Sequence, residues 1–272
     1  MSEVSERGLS LARGPAQPAL LEQTIGANLE ATIARHGDRE ALVSCPQGLR
    51  FTYTELGAEV DQLARGLIAA GVSVGDRLGI WSPNRAEWTL LQYATAKLGV
   101  ILVNVNPAYR TSELEYVLHQ SGCRMLIAAL AFKTSDYRAM AAEVRADPPA
   151  LESVIFLDSL EWEQLLKASR SVAPAELKRC GAALAPEDPI NIQYTSGTTG
   201  FPKGATLTHR NILNNGYLVG RRAATPRPTA SASRCPSTTA SAWCWATSPA
   251  PLTARRWSSR RRPLTPRRPC RP

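Results

Sequence analysis

Residues 189–204 read PINIQYTSGTTGFPKG, an apolar run followed by a loop rich in glycine and hydroxyl groups. The first six residues, Pro189–Tyr194, predict a short buried strand. The loop that follows offers backbone N–H groups and hydroxyls, and its glycines allow the backbone to approach a ligand closely. Because ligand loops in α/β sheets follow the carboxyl ends of strands, this stretch predicts an α/β fold with a phosphate-binding loop.

Seven residues of this loop are candidate phosphate-binding residues because each supplies a backbone N–H, a hydroxyl or a positive charge. They are Thr195, Ser196, Gly197, Thr198, Thr199, Gly200 and Lys203. A flexible Ser/Thr/Gly loop without a ligand is the alternative for such a composition. A P-loop NTPase is excluded, because its lysine follows the last glycine directly. Here Phe201 and Pro202 separate Gly200 from Lys203.

Four further segments precede the loop in a characteristic order. They are FTYTEL at residues 51–56, GDRLGI at 75–80, NRAEW at 84–88 and NPAYR at 106–110. Together with the loop, and over about residues 20–220, they resemble the AMP-forming adenylating enzymes, which include acyl-CoA synthetases, luciferases and peptide-synthetase adenylation domains. The NPAYR segment is most similar to the fatty acyl-CoA synthetase branch.

The resemblance implies a reaction and a set of ligands. A carboxylate attacks ATP to give acyl-AMP and pyrophosphate, and the thiol of coenzyme A then displaces AMP. ATP, Mg²⁺, coenzyme A and a fatty or other carboxylic acid are therefore the expected cofactor and substrate molecules. The loop and Lys203 would hold the phosphates.

The resemblance also implies that this chain is an N-terminal part of the family's large domain, a parallel sheet with flanking helices. The family's later adenine-, ribose- and Mg²⁺-binding segments and its C-terminal lid with the catalytic lysine have no counterpart here. We therefore expect no catalytic residue or metal ligand in this chain, and no ligase activity from it alone. A nucleotide-binding remnant without catalysis and a basic-tailed binding protein are the alternatives.

The chain divides into three parts by composition. Residues 1–18 predict a flexible N-terminus, residues 19–220 an incomplete synthetase domain, and residues 221–272 a disordered Arg/Pro-rich tail. The net charge of +9 comes from that tail, which holds 12 Arg and no Asp or Glu, whereas residues 1–220 hold 20 basic and 23 acidic residues. A basic tail is typical of nucleic-acid or membrane binding. This tail lacks Lys and regular spacing, so no specific nucleic-acid partner is predicted.

The genetic code suggests that the tail is out of frame. Trp243-Cys244-Trp245 requires the codons TGG-TGY-TGG. A frame moved back by one base reads NTG-GTG-YTG, which forces Val-Leu in the second and third codons. The same shift applied from Ala223 permits a coherent peptide with acidic residues and apolar runs that looks like the next segment of the same family. A one-base slip near Gly220–Arg222 is the resulting hypothesis.

Several other classes of protein receive no support. No run of 18 apolar residues predicts a transmembrane helix, and the acidic N-terminus without an apolar core favours a cytoplasmic location. The six cysteines show no Cys-x-x-Cys spacing, and His36, His119 and His209 are isolated, so no metal site is predicted. Each histidine is expected to have a capping or surface role. The sequence favours no particular oligomeric state.

A helix from residue 21, a hairpin over residues 41–51 and a helix over residues 56–68 are predicted first. From residue 77 to residue 168 strands alternate with helices, which predicts a parallel sheet with crossover helices. Thr54, Asn84 and Ser112 are the predicted N-caps of three helices, and residues 131–145 are a predicted helix. Trp81, Trp88 and Tyr93 are expected to pack in the core rather than to form an aromatic ligand cage. The polar residues around 104–110 are expected to shape a loop. The predicted strands are residues 77–81, 100–105, 124–128, 154–157 and 189–194.

Overall fold

A computed structural model describes residues 18–146, 151–195 and 202–223. The helices are α1 Ile25–His36, α2 Tyr53–Ala69, α3 Ala86–Leu98, α4 Thr111–Ser121, α5 Tyr137–Ala146, α6 Leu160–Ala168, α7 Pro174–Ala182 and α8 His209–Ala223. The strands are β1 Glu40–Ser44, β2 Leu49–Thr52, β3 Arg77–Trp81, β4 Ile101–Val105, β5 Met125–Ala128, β6 Ala131–Phe132, β7 Ser135–Asp136, β8 Ser153–Phe156, β9 Pro189–Thr195 and β10 Lys203–Thr208. The predicted flexible N-terminus up to residue 17 and the predicted tail from residue 224 lie outside the described residues.

A six-stranded sheet in the order β10-β9-β4-β3-β5-β8 forms the centre of the described fold. The pairs from β9 to β8 are parallel, and β10 is antiparallel to β9. The predicted α/β fold with a parallel sheet and flanking helices is thus confirmed, with an antiparallel strand at one edge. Parallel strands share their carboxyl-terminal edge, so the segments that follow β3, β4, β5 and β9 leave the sheet on one side.

Both faces of the sheet are covered, which explains why its strands are apolar on both sides. On one face, side chains such as Ile80 and Leu102 pack in a cluster with Leu63 and Leu91 from α2 and α3. On the other face, Val103 and other strand residues pack against α4 and α5. These positions are fully or almost fully buried. The helices on both faces are therefore held mainly by burial of apolar surface.

The start of α2 corrects the prediction that Thr54 caps this helix. Thr52 is the N-cap, and its hydroxyl accepts a hydrogen bond from the backbone N–H of Glu55 at 3.2 Å. The Glu55 carboxylate in turn accepts from the backbone N–H of Thr52 at 2.7 Å. A reciprocal capping box needs Glu at the third helical position, and Glu55 occupies that position only when the cap is Thr52.

Two other predicted caps are also wrong. The helix α3 begins after Arg85 rather than Asn84, and the amide oxygen of Gln47, from the β1–β2 turn, accepts from the Ala86 N–H at 2.8 Å. A residue 39 positions away therefore takes the place of a local cap. The helix α4 begins at Thr111, and Glu113 rather than Glu115 closes its first turn by accepting from the backbone N–H of Arg110 at 2.8 Å.

The predicted helix over residues 131–145 begins later than expected. Residues 131–136 form the short β6–β7 hairpin, which turns at Lys133 with a positive φ of 54°. The helix α5 follows from Tyr137. A left-handed turn residue other than glycine gives little signal in the sequence, so helical spacing alone extended the prediction too far. The helices α7 and α8 and the strand β10 were not predicted from the pattern.

The first described residues are held against α8 by polar contacts across almost the whole described chain. The backbone N–H of Leu21 donates to the amide oxygen of Asn214 at 2.7 Å, and the Asn214 amide nitrogen donates to the Leu21 carbonyl at 3.0 Å. Buried His209 accepts at Nδ1 from the N–H of Ile25, the first residue of α1, at 3.3 Å. Thr24 is the N-cap of α1, and His209 satisfies the N–H of the first helical residue in addition. His209 is fully buried, so of the capping or surface role expected for it the surface role is wrong.

A search of the described helices for a membrane-crossing segment finds none that is both long and apolar enough.

Gly66 on α2 packs directly against the backbone of α6. A Cβ at this position would lie 2.5 Å from the backbone carbonyl oxygen of Leu165, which cannot move without displacing α6. We expect Gly66→Ala to lower the free energy of unfolding by about 1–2 kcal/mol, since overpacking outweighs the gain in helix propensity. Urea denaturation measures this change.

Gly57→Ala is the matched control, because Gly57 lies in the same helix and gains the same propensity. Its Cβ would meet only the terminal Cδ1 of Ile33, also at 2.5 Å, which can rotate away. We expect this variant to be at least as stable as the parent, within about 0.5 kcal/mol. Equal losses in the two variants would contradict a backbone clash at Gly66.

The burial of His209 predicts a pH dependence of stability. Burial lowers the pKa of His209 to about 4, with Asp188 acting in the opposite direction. The unfolded chain therefore binds a proton below about pH 6.5 while the folded chain stays neutral down to about pH 4, so stability is lost as the pH falls through this window. Between pH 7 and pH 5 this loss amounts to about 2 kcal/mol. In His209→Gln, urea denaturation at the two pH values should show a smaller loss; an unchanged difference would contradict the assignment.

Candidate functional site

The candidate phosphate loop begins where β9 ends and closes where β10 begins. Thr195 and Lys203 are Cα partners in the antiparallel ladder, and the Thr195 hydroxyl donates to the Lys203 carbonyl at 3.4 Å. Both side chains are exposed. The structure thus brings together the first and last of the seven predicted residues at the carboxyl end of β9. The predicted residues Ser196, Gly197, Thr198, Thr199 and Gly200 lie outside the described residues.

Tyr194 anchors the end of β9 just before the loop. Its hydroxyl donates to the carbonyl of Val117 on α4 at 3.3 Å, and burial raises the pKa of Tyr194 to about 12. The phenol therefore stays a neutral donor at physiological pH. Its ring lies beside Gly204 on β10, where a Cβ would approach the ring carbon Cζ to 3.3 Å. Gly204 thus provides space for an aromatic ring directly below the loop, a role that the sequence alone did not indicate.

Buried amide side chains join β4 to β9 below the loop. Asn191 donates to the Leu102 carbonyl at 2.9 Å, and the Asn191 oxygen accepts from Gln193 at 2.8 Å and from Asn104 at 3.3 Å. The Asn104 oxygen has no hydrogen-bond partner among the described residues. Paired residues in parallel strands face the same side, so the ladder Leu102–Asn191 and Asn104–Gln193 places these amides together. The signal in the sequence was polar residues inside apolar strands.

Two stacked aromatic rings, from the end of β3 and the start of α5, hold the segment that follows β4. The Trp81 indole stacks on the Tyr137 ring with centroids 3.5 Å apart, and its N–H donates to the Asn106 carbonyl at 3.2 Å. The Tyr137 hydroxyl donates to the Pro107 carbonyl at 2.5 Å. Trp81 and Tyr93 are buried, as predicted for core residues, and Trp88 is half-buried. Residues 106–110 form the connection between β4 and α4, as expected, but Asn104 lies within β4 rather than in a loop.

An ion-pair cluster closes the same edge of the sheet at β8. Arg85 pairs with Glu87 at 2.9 Å and with Asp158 at 2.7 Å. Burial opposes ionisation of Glu87, but hydrogen bonds from Arg85 and Gln47 hold its pKa below the usual value. The hydrogen bond from Arg85 likewise lowers the pKa of Asp158. These groups satisfy one another, so we assign the cluster to holding the sheet edge rather than to a ligand.

Two groups of the kind that bind anions lie side by side at this point of the sheet. Thr195 offers a hydroxyl and Lys203 an ammonium group at one strand end, which suits phosphate oxygens. Within the described ranges there is no group of three or more His, Cys, Asp or Glu side chains that could hold a metal ion.

Comparisons with known proteins agree with this geometry. Residues 29–254 match the family described as AMP-binding enzyme. The medium-chain acyl-CoA ligase ACSF2, mitochondrial, of Mus musculus is 43% identical over 242 residues, which cover 82% of this chain and 39% of that protein. The chain thus spans about two fifths of the length of this curated relative.

Two solved structures have the same fold. The N-terminal domain of FACL13 from Mycobacterium tuberculosis, with bound inhibitor, matches with a TM-score of 0.67 at 24% identity, covering 84% of this chain and 56% of that one. A fatty acyl CoA synthetase of Mycobacterium tuberculosis matches with a TM-score of 0.60 at 28% identity, covering 74% of this chain and 37% of that one. The family match, extending over most of the chain, identifies it: the chain belongs to the AMP-binding enzyme family and is related within it to acyl-CoA ligases.

Proposed function

We propose that this chain supplies the ATP-phosphate-binding part of an acid–CoA ligase that forms acyl-AMP and then acyl-CoA. The observation that carries the proposal is the exposed pair Thr195 and Lys203 at the carboxyl end of β9. This is the edge at which ligands bind in α/β sheets. Ser196, Gly197, Thr198, Thr199 and Gly200 would complete the phosphate-binding loop between them.

Each described residue has a defined part in this proposal. Lys203 would place its charge on the phosphates, and the Thr195 hydroxyl would donate to a phosphate oxygen once it releases the Lys203 carbonyl. Preorganised donors of this kind stabilise the charge that develops during phosphoryl and adenylyl transfer. Mg²⁺ would neutralise part of the phosphate charge, and we assign it no ligand among the described residues. Coenzyme A and the carboxylic acid complete the proposed set of substrates.

For the 272-residue chain assayed alone, we propose nucleotide binding without catalytic turnover. It spans 39% of the mouse relative, and correct positioning of reactants can supply about 7–11 kcal/mol of a reaction barrier. A binding remnant without catalysis is therefore the form of the proposal that applies to the 272 residues by themselves.

Lys203→Ala tests the proposed phosphate contact. We expect millimolar MgATP to raise the thermal unfolding midpoint of the parent chain, because a ligand that binds the folded state stabilises it by mass action. Loss of a charge-assisted contact worth about 1.5–3 kcal/mol should weaken ATP binding by about ten- to a hundredfold and remove most of that shift. Differential scanning fluorimetry and calorimetric titration measure the two effects.

Lys178→Ala is the control, since Lys178 is an exposed lysine on α7. It should keep the full response to MgATP. A parent chain that does not respond to MgATP, or equal responses in Lys203→Ala and the parent, would contradict the proposed function. ATP–pyrophosphate exchange by the chain alone is expected to be undetectable, and clear turnover would contradict the binding-only proposal.

A second candidate function rests on the composition of residues 221–272. A segment with 12 Arg and no acidic residue could attract nucleic acid or anionic lipid. Binding that weakens steeply with salt and disappears on deletion of residues 221–272 would favour this candidate. The cytoplasmic location expected from the sequence stays a prediction, and the mouse relative has the word mitochondrial in its name.

We also propose that residues from about 221 onwards are read out of frame. The forced Val-Leu in the shifted frame at residues 243–245 and the absence of acidic residues support this proposal. The family match runs to residue 254, inside this segment, and so does not by itself locate a change of frame. Sequencing the gene is therefore the decisive measurement. Genomic DNA from codon 215, read in all three frames, should show the family's sequence continuing in the neighbouring frame. A neighbouring frame without such a continuation would contradict the proposal.

A further inference from the structure

Both ends of the candidate phosphate loop are bonded to α4. On the incoming side, the Tyr194 hydroxyl donates to the Val117 carbonyl at 3.3 Å. On the outgoing side, the Tyr116 hydroxyl donates to the carbonyl of Pro202 at 3.3 Å. Tyr116 and Val117 are consecutive residues, so one turn of α4 holds the end of β9 and the residue before β10.

The contact at Pro202 has a specific physical reason. Proline has no N–H, so Pro202 cannot donate to a strand ladder, and the Cα partners of the β9–β10 ladder begin with Thr195 and Lys203. The Tyr116 hydroxyl reaches Pro202 one residue beyond that last pair. It thereby holds the backbone on the loop side of Lys203, where the ladder has ended.

The direction of the Tyr116 hydroxyl is set by its neighbour on the same helix face. Gln120, one turn further along α4, donates its amide nitrogen to the Tyr116 oxygen at 2.8 Å. A phenol oxygen can accept a hydrogen bond and also donate its single proton. The Tyr116 oxygen accepts from Gln120, and its proton points towards the Pro202 carbonyl. Tyr116 is half-buried and packs against the cluster beneath α4, whereas Gln120 is exposed.

We propose that Tyr116 is a positioning residue for nucleotide binding. It fixes the backbone at Pro202 and thereby holds Lys203 where its ammonium group can contact phosphate. Tyr116 itself touches no phosphate in this arrangement. The inference rests on the proposed function for its effect on ATP, but the anchoring of Pro202 is measurable without ATP.

Hydrogen–deuterium exchange of the full 272-residue chain, followed on peptides that cover residues 203–208, tests the anchoring directly. Tyr116→Phe removes the hydroxyl and keeps the ring, so the amides of Lys203 and Gly204 should exchange about three- to tenfold faster without nucleotide. Gln120→Ala, at an exposed position, should give a smaller change in the same direction. Unchanged exchange in both variants would overturn the proposal.

Tyr137→Phe is the matched control, because it also removes a tyrosine hydroxyl bond to a proline carbonyl, that of Pro107. It should leave exchange at 203–208 unchanged while exchange near residue 107 rises. Equal acceleration at 203–208 in Tyr137→Phe would mean general destabilisation and would overturn a specific role for Tyr116. Thermal unfolding of each variant verifies that it is folded under the conditions of exchange.

Calorimetric titration with MgATP separates this inference from the proposed function. Tyr116→Phe should weaken ATP binding by about three- to tenfold, and Tyr137→Phe should not. Faster exchange at 203–208 in a chain that binds no ATP would refute the proposed function and leave the anchoring established. Faster exchange with unchanged ATP affinity would refute the positioning role for nucleotide.

Discussion

The pairing of β4 with β9 is the contact on which the placement of the candidate site depends. These strands are separated by more than eighty residues, and the ladder places Leu102 beside Asn191 and Asn104 beside Gln193. Asn191 reinforces the ladder by donating to the Leu102 carbonyl. A shift of one residue would turn these amides to the opposite face of the sheet and leave them unsatisfied. The register is therefore specified by polar groups as well as by apolar packing, and the end of β9 is fixed relative to the ends of β3 and β4.

From that pairing, the fold carries the loop in a simple way. Apolar burial on both faces holds the sheet, and α4 on one face contacts both ends of the loop, at Tyr194 through Val117 and at Pro202 through Tyr116. Separately, α8 binds the start of the described chain, because Asn214 contacts Leu21 and His209 contacts Ile25. A rigid scaffold with a binding loop at its edge is the arrangement that ligand sites commonly use.

Much of the architecture could be predicted from local sequence. Arg77–Trp81 was predicted as a strand with its observed bounds, because apolar runs between turn signals give a strong signal. Helix starts were harder to predict. The first N–H of α3 is capped by Gln47, which only the folded hairpin brings near. The short turn at Lys133 delayed α5. In each of these two cases a contact or backbone conformation without a local pattern decided the boundary, so spacing rules could not find it.

The sequence by itself determined the family and the α/β class, through the loop after β9 and the ordered segments before it. The seven candidate phosphate-binding residues stay a prediction, made because glycines and hydroxyl groups at a strand end suit phosphate oxygens. The tertiary structure alone decided that Thr195 and Lys203 are partners in a ladder. It also decided that Tyr194 lies against Gly204, and that Tyr116 reaches Pro202. The physical reason is that the type of a residue determines which bonds its groups can make. Distances between residues far apart in the chain exist only after apolar burial and strand register have brought the elements together.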